Sequence, residues 1–232
     1  MPAIVSLAHN LPSWSDITIG RMREYAARIG VEFVLLQPDN YNGFMDRAAL
    51  FRNAAMLYGR VALIDADCVV SRESPDIFAM HEPGRVWMVQ DAPAGQDGAL
   101  YRWQDMLFVQ AVRGGCNWIS GYGNMGVVVC DSMHAQAFDD WIDVPGTHHD
   151  QAQFNYLVQR LGYGRGWMDP RWNRMGITAG HPNRLEFCKD IATGAFIAHA
   201  AGFTQYHPQG ETKEDGERRR AEAIRIFDSV LP

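Results

Sequence analysis

The sequence predicts an α/β fold in which a mixed, mostly parallel sheet is flanked by helices. Three observations predict it. Short apolar runs alternate along the chain with longer stretches whose apolar residues recur at helical spacing. Turn formers separate the two kinds of segment: Pro12, Gly30, Pro38, Asn40, Asn42, Gly43, Gly59 and Gly162. No linker, repeat or low-complexity stretch interrupts the 232 residues, so residues 1–232 read as a single domain. Right-handed crossovers in such a sheet gather the carboxyl ends of the parallel strands on one edge, where these folds place ligands.

The elements follow in order. Ala3–Leu7 is a strand, and a loop with Pro12 leads to a helix from about Asp16, with Met22, Tyr25, Ala26 and Ile29 on one face and Gly30 as its stop. Val31–Leu36 is the second strand, and Gln37–Met45 is a loop. A second helix starts near Asp46 as N-cap, carries Leu50, Ala54 and Leu57 on one face and ends at Gly59. Arg60–Ile64 is a buried strand that runs into Asp65-Ala66-Asp67. Val86–Gln90 and Met125–Cys130 are further strands, the latter central. Asp150–Leu161 is a helix with Phe154, Leu157, Val158 and Leu161 inward. Ala195–Ala198 is a late strand, and Glu211–Val230 a charged amphipathic helix.

Composition narrows the function classes. Lys plus Arg number 21 and Asp plus Glu 27, a net charge of −6, so the chain lacks the footprint of a protein held by nucleic-acid phosphates and no nucleic-acid partner is expected. No apolar window is long enough to span a bilayer, so no transmembrane segment is expected. The N-terminus carries no basic residue before Arg21 and reads as a strand of the fold, not a leader. Cys68, Cys116, Cys130 and Cys188 form no CxxC, which points to reduced thiols in a cytoplasm.

Four local patterns could carry chemistry. In Val61-Ala62-Leu63-Ile64-Asp65-Ala66-Asp67, two acids one residue apart follow a buried strand, and strand periodicity puts both carboxylates on one face. They could share a hard divalent cation, which would bridge to substrate phosphates. A helix cap with a solvated turn acid is the competing reading. Gly121-Tyr122-Gly123-Asn124-Met125-Gly126 could let backbone approach a ligand, or be an ordinary turn into a strand. His148-His149-Asp150-Gln151 precedes a helix, where Asp150 could equally be a cap. His199 ends a short strand; it could be a structural histidine or the third ligand beside two carboxylates for Mn²⁺. Trp14, Trp103, Trp118 and Trp167 could form a sugar-stacking platform or be core, and Arg218-Arg219-Arg220 reads as a solvated helix face, with a patch that meets an anionic acceptor or membrane surface as the alternative.

The order of these patterns resembles the GT-A glycosyltransferases, and most closely glycosyltransferase family eight, the family of glycogenin and the bacterial lipopolysaccharide galactosyltransferases. The resemblance runs from Ile4 to about Gly202. It comprises the first strand with Ala8, His9 and Asn10, Arg47 on the preceding helix, the DxD pair Asp65 and Asp67, Asp91 after the next strand, and Asn124-Met125-Gly126. Asp150, Gln151 and Asn155 match a DQxxxN segment, Pro170-Arg171-Trp172-Asn173 a PxxWN loop, and His199 with Gly202 the closing HxxG.

The resemblance implies a GT-A (Rossmann-like) fold and transfer of a hexose from a nucleotide-diphosphate sugar, expected to be a UDP-sugar. Asp65, Asp67 and His199 would hold Mn²⁺ or Mg²⁺, which would stabilise charge on the departing diphosphate. Ala8, His9, Arg47, Asp65, Ala66, Asn124, Gly126, Asn173 and Gly202 would bind the donor, with Arg47 near its sugar and phosphate. Gln151, Asp150 and Asp91 would stand at the reacting sugar, Gln151 on the face opposite the leaving group. An amide there in place of a carboxylate nucleophile implies retention by front-face attack; Asp150 or Asp91 acting as general base would give inversion. The sequence departs from the family twice. The first strand ends Ala8-His9-Asn10 where an acid before a Tyr is usual, and Phe203-Thr204-Gln205-Tyr206-His207-Pro208 replaces a Lys-Pro-Trp element that touches the diphosphate. His207, Lys213 or Arg174 are candidates for that contact.

Two other classes share some of these features. A haloacid-dehalogenase-type phosphatase also ends a strand in DxD, but on its first strand. A non-catalytic nucleotide-sugar or carbohydrate-binding module would not need the whole set of Asp65, Asp67, Gln151 and His199. The acceptor, whether saccharide, lipid-linked saccharide or protein, is expected at Ala92–Trp118, a long segment with Tyr101, Trp103 and Trp118 that could instead pack a homodimer.

Overall fold

A computed structural model describes the chain except for residues 11, 92–98, 119–120, 148, 176–183 and 202–211, and the side chains of 99–101 and 184–185. Strands β1 (Ala3–Leu7), β2 (Glu32–Leu36) and β3 (Arg60–Ile64) are parallel neighbours in the order β2-β1-β3. β4 (Cys68–Val70) lies outside this sheet, β5 (Val86–Gln90) and β6 (Gly123–Asp131) lie in it, and β7 (Arg165–Trp167) closes its far edge. The order is β2-β1-β3-β6-β5-β7, and β6 runs antiparallel to both neighbours. The sheet is therefore mixed and mostly parallel, as the alternation of segments predicts. A second sheet, absent from the sequence reading, sets β4 beside β9 (Ile197–His199) and β8 (Arg174–Met175) in the order β4-β9-β8.

β3 shows why its apolar run reads as buried. Val61 and Leu63 pack with α2 (Phe44–Tyr58), α4 (Ala99–Arg113) and α5 (His149–Arg160), while Ala62 and Ile64 pack with α1 (Ser15–Arg28) and Trp172 on the other face. A third apolar cluster joins Val69 and Ala198 of the small sheet to α6 (Arg184–Ala192) and α7 (Lys213–Val230), with Trp14. A short helix α3 (Ile77–Met80) and 3-10 turns at Ser132–Phe138 and Pro170–Asn173 complete the described elements.

Several local expectations need correction. Asp46 does not cap α2: the helix begins at Phe44, and the Asp46 carboxylate accepts from the Asn42 N–H at 2.7 Å. The buried face of α2 is Ala48, Phe51, Ala54 and Ala55, set by the bulk of Phe51, and Leu57 is 76% exposed. Asp150 likewise lies inside the first turn of α5, and Leu161 is 40% exposed because the helix ends at Arg160. The Arg218-Arg219-Arg220 run is not one solvated face. Successive helical residues point about 100° apart, so Arg218 is exposed, Arg219 buried, and Arg220 turned toward Asp67.

Candidate active site

The carboxyl ends of β1, β3 and β5 share one edge with the start of β6, because β6 is antiparallel to β3 and β5. β6 bulges there: the pairing with β5 jumps from Met88↔Val128 to Val89↔Asn124. The β3–β6 ladder runs on past Ile64↔Val127, and the Gly126 carbonyl accepts from the Asp65 N–H at 2.8 Å. The chain then turns, the Asp65 carbonyl accepting from Cys68 N–H at 3.0 Å, and β4 returns to pair with β9 in the register Cys68↔His199. Two sheets thus deliver Asp65, Asp67 and His199 to one point.

His199 Nε2 lies 3.1 Å from an Asp67 oxygen and 3.8 Å from an Asp65 oxygen. Its Nδ1 is 2.8 Å from the amide oxygen of Asn173, so Nδ1–H donates and Nε2 faces the carboxylates. The Asn173 amide N–H donates to Asn124 Oδ1 at 2.7 Å, which also accepts from Gly126 N–H at 2.7 Å. Gly126 leaves room for the imidazole, since a Cβ there would sit 2.3 Å from a ring carbon of His199. Asn124, Gly126 and Asn173 therefore stand behind His199 and hold it.

Arg47 joins the acids, its guanidinium pairing with Asp65 and, at 2.7 Å, with Asp150. Gln151 is fixed at both ends: its amide N–H donates to Asp91 at 2.9 Å and its oxygen accepts from Met125 N–H at 3.1 Å. Asp91 also pairs with Arg102 of α4 and meets the Asn124 amide at 3.4 Å. Asn155 locks α5 to β6, accepting from Gly123 N–H at 2.7 Å and donating to Gly123 C=O at 2.8 Å.

Burial works against ionisation of both acids of the pair. At Asp67 the imidazolium of His199 and the Arg220 guanidinium outweigh it and hold the carboxyl well below the usual range. At Asp65 burial prevails over Arg47, aided by Asp67 and Asp150, and its carboxyl is raised. Burial also opposes the charge on His199, but Asp67 outweighs it and raises the imidazole. The Asp67 and His199 donor atoms, 3.1 Å apart, are spaced about as two ligands at right angles around a cation with ~2.1 Å bonds would be; the Asp65 oxygen at 3.8 Å is farther than that. Asp67, Cys68 and His199 also form a cluster of metal-capable atoms within 4.8 Å. Burial and the neighbouring carboxylates push the Cys68 thiol far up, so it is a poor partner for a hard cation. Asp67 and His199 are the hard donors of that cluster, and Asp65, an oxygen of which lies 3.8 Å from the imidazole, stands beside it and outside it.

A cleft of about 470 Å³ opens in front of this group. Arg47, Asp65, Ala66 and Asp67 line one part of it; Leu7, His9, Asn10 and Tyr41 line another; Trp14 with Lys213, Glu217 and Arg220 of α7 completes the wall. The His9 and Tyr41 rings lie 5.3 Å apart. His9 Nδ1 is bonded to the Pro38 carbonyl at 3.2 Å, and Asn10 takes a positive φ of 49°, a conformation Asn tolerates. Ala8 is buried, its N–H continuing the β1–β2 ladder to Leu36, and its neighbours Leu7 and His9 line the cleft instead.

The comparisons with known proteins bear on this architecture. No family model matches the sequence, and no curated protein sequence does. Solved structures match along nearly the whole chain. A glycosyltransferase involved in the glycosylation of the major capsid of PBCV-1 aligns over 97% of this chain and 100% of its own, at 14% identity and a TM-score of 0.58. An active-site mutant of LgtC aligns over 95% of each chain, at 15% identity and a TM-score of 0.50. The fold is GT-A. The bifunctional glycosyltransferase WbbM aligns over 99% of this chain at 13% identity and a TM-score of 0.52, and the chain spans about half of WbbM. In the GT-A frame Asp65 and Asp67 close the third strand of the sheet, not the first, which is unlike the phosphatase alternative.

Some expected residues are not brought to the site. Gly202, His207 and His148 lie outside the described residues, as does the Tyr101 side chain. Arg174 is directed to the Thr193 carbonyl. The four tryptophans do not make one platform: Trp14 belongs to the cluster with α7, Trp118 borders the α5 side of the sheet, and Trp103 is exposed on α4. Sequence reasoning missed Tyr41, Arg102, Glu217 and Arg220. Only the last two left a signal, a polar i, i+4, i+7 row Lys213, Glu217 and Arg220 on α7.

Proposed function

We propose that the protein is a metal-dependent glycosyltransferase that moves a hexose from a nucleotide-diphosphate sugar, a UDP-sugar, to a hydroxyl acceptor with retention of configuration. The observation that carries this reading is the convergence of Asp65, Asp67 and His199 beside the cleft, with the His199 tautomer set by Asn173. Mn²⁺ or Mg²⁺ held there would neutralise the diphosphate as it leaves. His9 and Tyr41 offer ring faces for the base, and Ala66 lines the same cleft.

At the sugar end, the two carboxylates nearest Gln151 are each engaged by an arginine, Asp150 by Arg47 and Asp91 by Arg102. Neither is placed as an unencumbered nucleophile or base, which favours attack from the face of the leaving group. In that reaction the acceptor oxygen bonds to the anomeric carbon as the bond to the phosphate oxygen breaks. The acceptor proton passes to the departing phosphate. Gln151, fixed at both ends by Asp91 and Met125, is the amide nearest the reacting sugar in this reading. Asp91 orients Gln151 and is itself met by the Asn124 amide.

The test is incubation with UDP-hexoses and Mn²⁺, following released UDP and the anomeric configuration of the product by NMR. Retained configuration, lost in D67A and reduced in Q151A, supports the reading; an inverted product contradicts the front-face mechanism. The acceptor reaches the site along α4, whose Trp103, Leu107, Phe108 and Val112 are exposed.

A further inference from the structure

The wall of the cleft contributed by α7 carries charge that the acidic pair alone cannot supply. Lys213, Glu217 and Arg220 occupy i, i+4 and i+7 of that helix, and all three line the cleft. The Arg220 guanidinium lies over the Trp14 ring, 5.8 Å from its centroid, which fixes its plane. Its Nε is 3.5 Å from Asp67 and its Nη1 3.4 Å from Glu217. Both contacts are longer than the roughly 2.7–2.9 Å of a close charge-assisted hydrogen bond. Arg47, the other arginine lining the cleft, is held between Asp65 and Asp150.

We propose that Arg220 is the residue that grips the diphosphate of the nucleotide, with Lys213 lending charge at the rim. This rests on the reading of the cleft as a nucleotide-sugar site. A diphosphate entering beside Asp65 and Asp67 meets two carboxylates, and a cation between them offsets only part of that repulsion. The Arg220 guanidinium lines the cleft beside Asp67, where its N–H donors can turn to phosphate oxygens. That turn releases Asp67 from the guanidinium. Glu217 competes with the phosphate for Arg220, so its removal favours the ligand.

The experiment is calorimetric titration of UDP, UMP and pyrophosphate with Mn²⁺, with EDTA controls, into wild type, R220Q, R220K and E217Q, with thermal melts to verify folding. R220Q is expected to weaken UDP and pyrophosphate by about tenfold or more, the worth of one charge-assisted bond. UMP should weaken less, R220K should fall between, and E217Q should bind UDP more tightly. E217Q keeps the proposal testable even if R220Q fails to fold. R220Q binding UDP as wild type does, or losing UDP and UMP equally, overturns the proposal, as does weaker UDP binding by E217Q. Wild type that binds neither UDP nor pyrophosphate, with or without metal, overturns the nucleotide-sugar reading itself and this inference with it.

Discussion

At the scale of single residues, His199 can serve a cation only because its other nitrogen is held. Asn173 accepts from the Nδ1–H, Asn124 holds Asn173, and Gly126 clears the space for the ring. N173A is therefore expected to weaken Mn²⁺ binding about 10- to 100-fold, the usual effect of removing such a support, as read by calorimetry on the protein alone. Unchanged affinity would mean that the ring orientation is set elsewhere. G126A places a methyl group against the imidazole and is expected to lose Mn²⁺ binding with the fold retained. Circular dichroism separates that outcome from general unfolding. These three supporting residues were legible in the sequence as members of Asn-x-Gly and Trp-Asn motifs, but their task was not. It depends on a bulge in β6 and on a second sheet, and neither leaves a periodic signal in short, irregular segments.

At the scale of elements, α5 is registered on the sheet by one side chain. Asn155 mimics a strand neighbour, bonding both the N–H and the C=O of Gly123, and also bonds the Gln151 carbonyl at 2.8 Å. N155A strands these buried backbone groups, and a stability loss of about 3 kcal/mol is expected in denaturant titrations. It should also reduce turnover, because Gln151 sits one helical turn earlier. A loss of stability below about 1 kcal/mol would show that packing alone seats the helix. The long strands and helices were legible because their apolar spacing repeats. α4 was not: it lies in a segment that reads as a loop with aromatic residues, and it supplies Arg102, the partner of Asp91. The C-terminal helix was legible as amphipathic, but which charged side entered the cleft depended on how it docks.

At the scale of the whole molecule, α7 is fastened to α1 across nearly the full length of the chain. Arg21, 4% exposed, pairs with Asp228 at 2.7 Å and donates to the carbonyls of Asp228, Leu231 and Pro232, so it caps the end of the helix. R21A is expected to cost about 2 kcal/mol and to weaken nucleotide binding through Arg220 without altering any cleft residue. Stability should also depend on pH through two buried imidazoles. Burial holds His81 below its ordinary value, helped by Arg60, and burial does the same to His134. Both then bind protons more readily unfolded than folded. Their contribution is complete above about pH 6.5 and falls away as pH drops toward their folded values. H81F is expected to flatten that slope in denaturant titrations; an unchanged slope would assign the acid sensitivity elsewhere. No described helix is long and apolar enough to cross a membrane.

The central claim is that Asp65, Asp67 and His199 form a cation site that serves a nucleotide diphosphate. Calorimetric titration of UDP into wild type and D67A, each with Mn²⁺ and with EDTA, tests it most directly. Tight UDP binding that requires Mn²⁺ and disappears in D67A is the predicted result. UDP binding that is the same in EDTA, or the same in D67A, would contradict it.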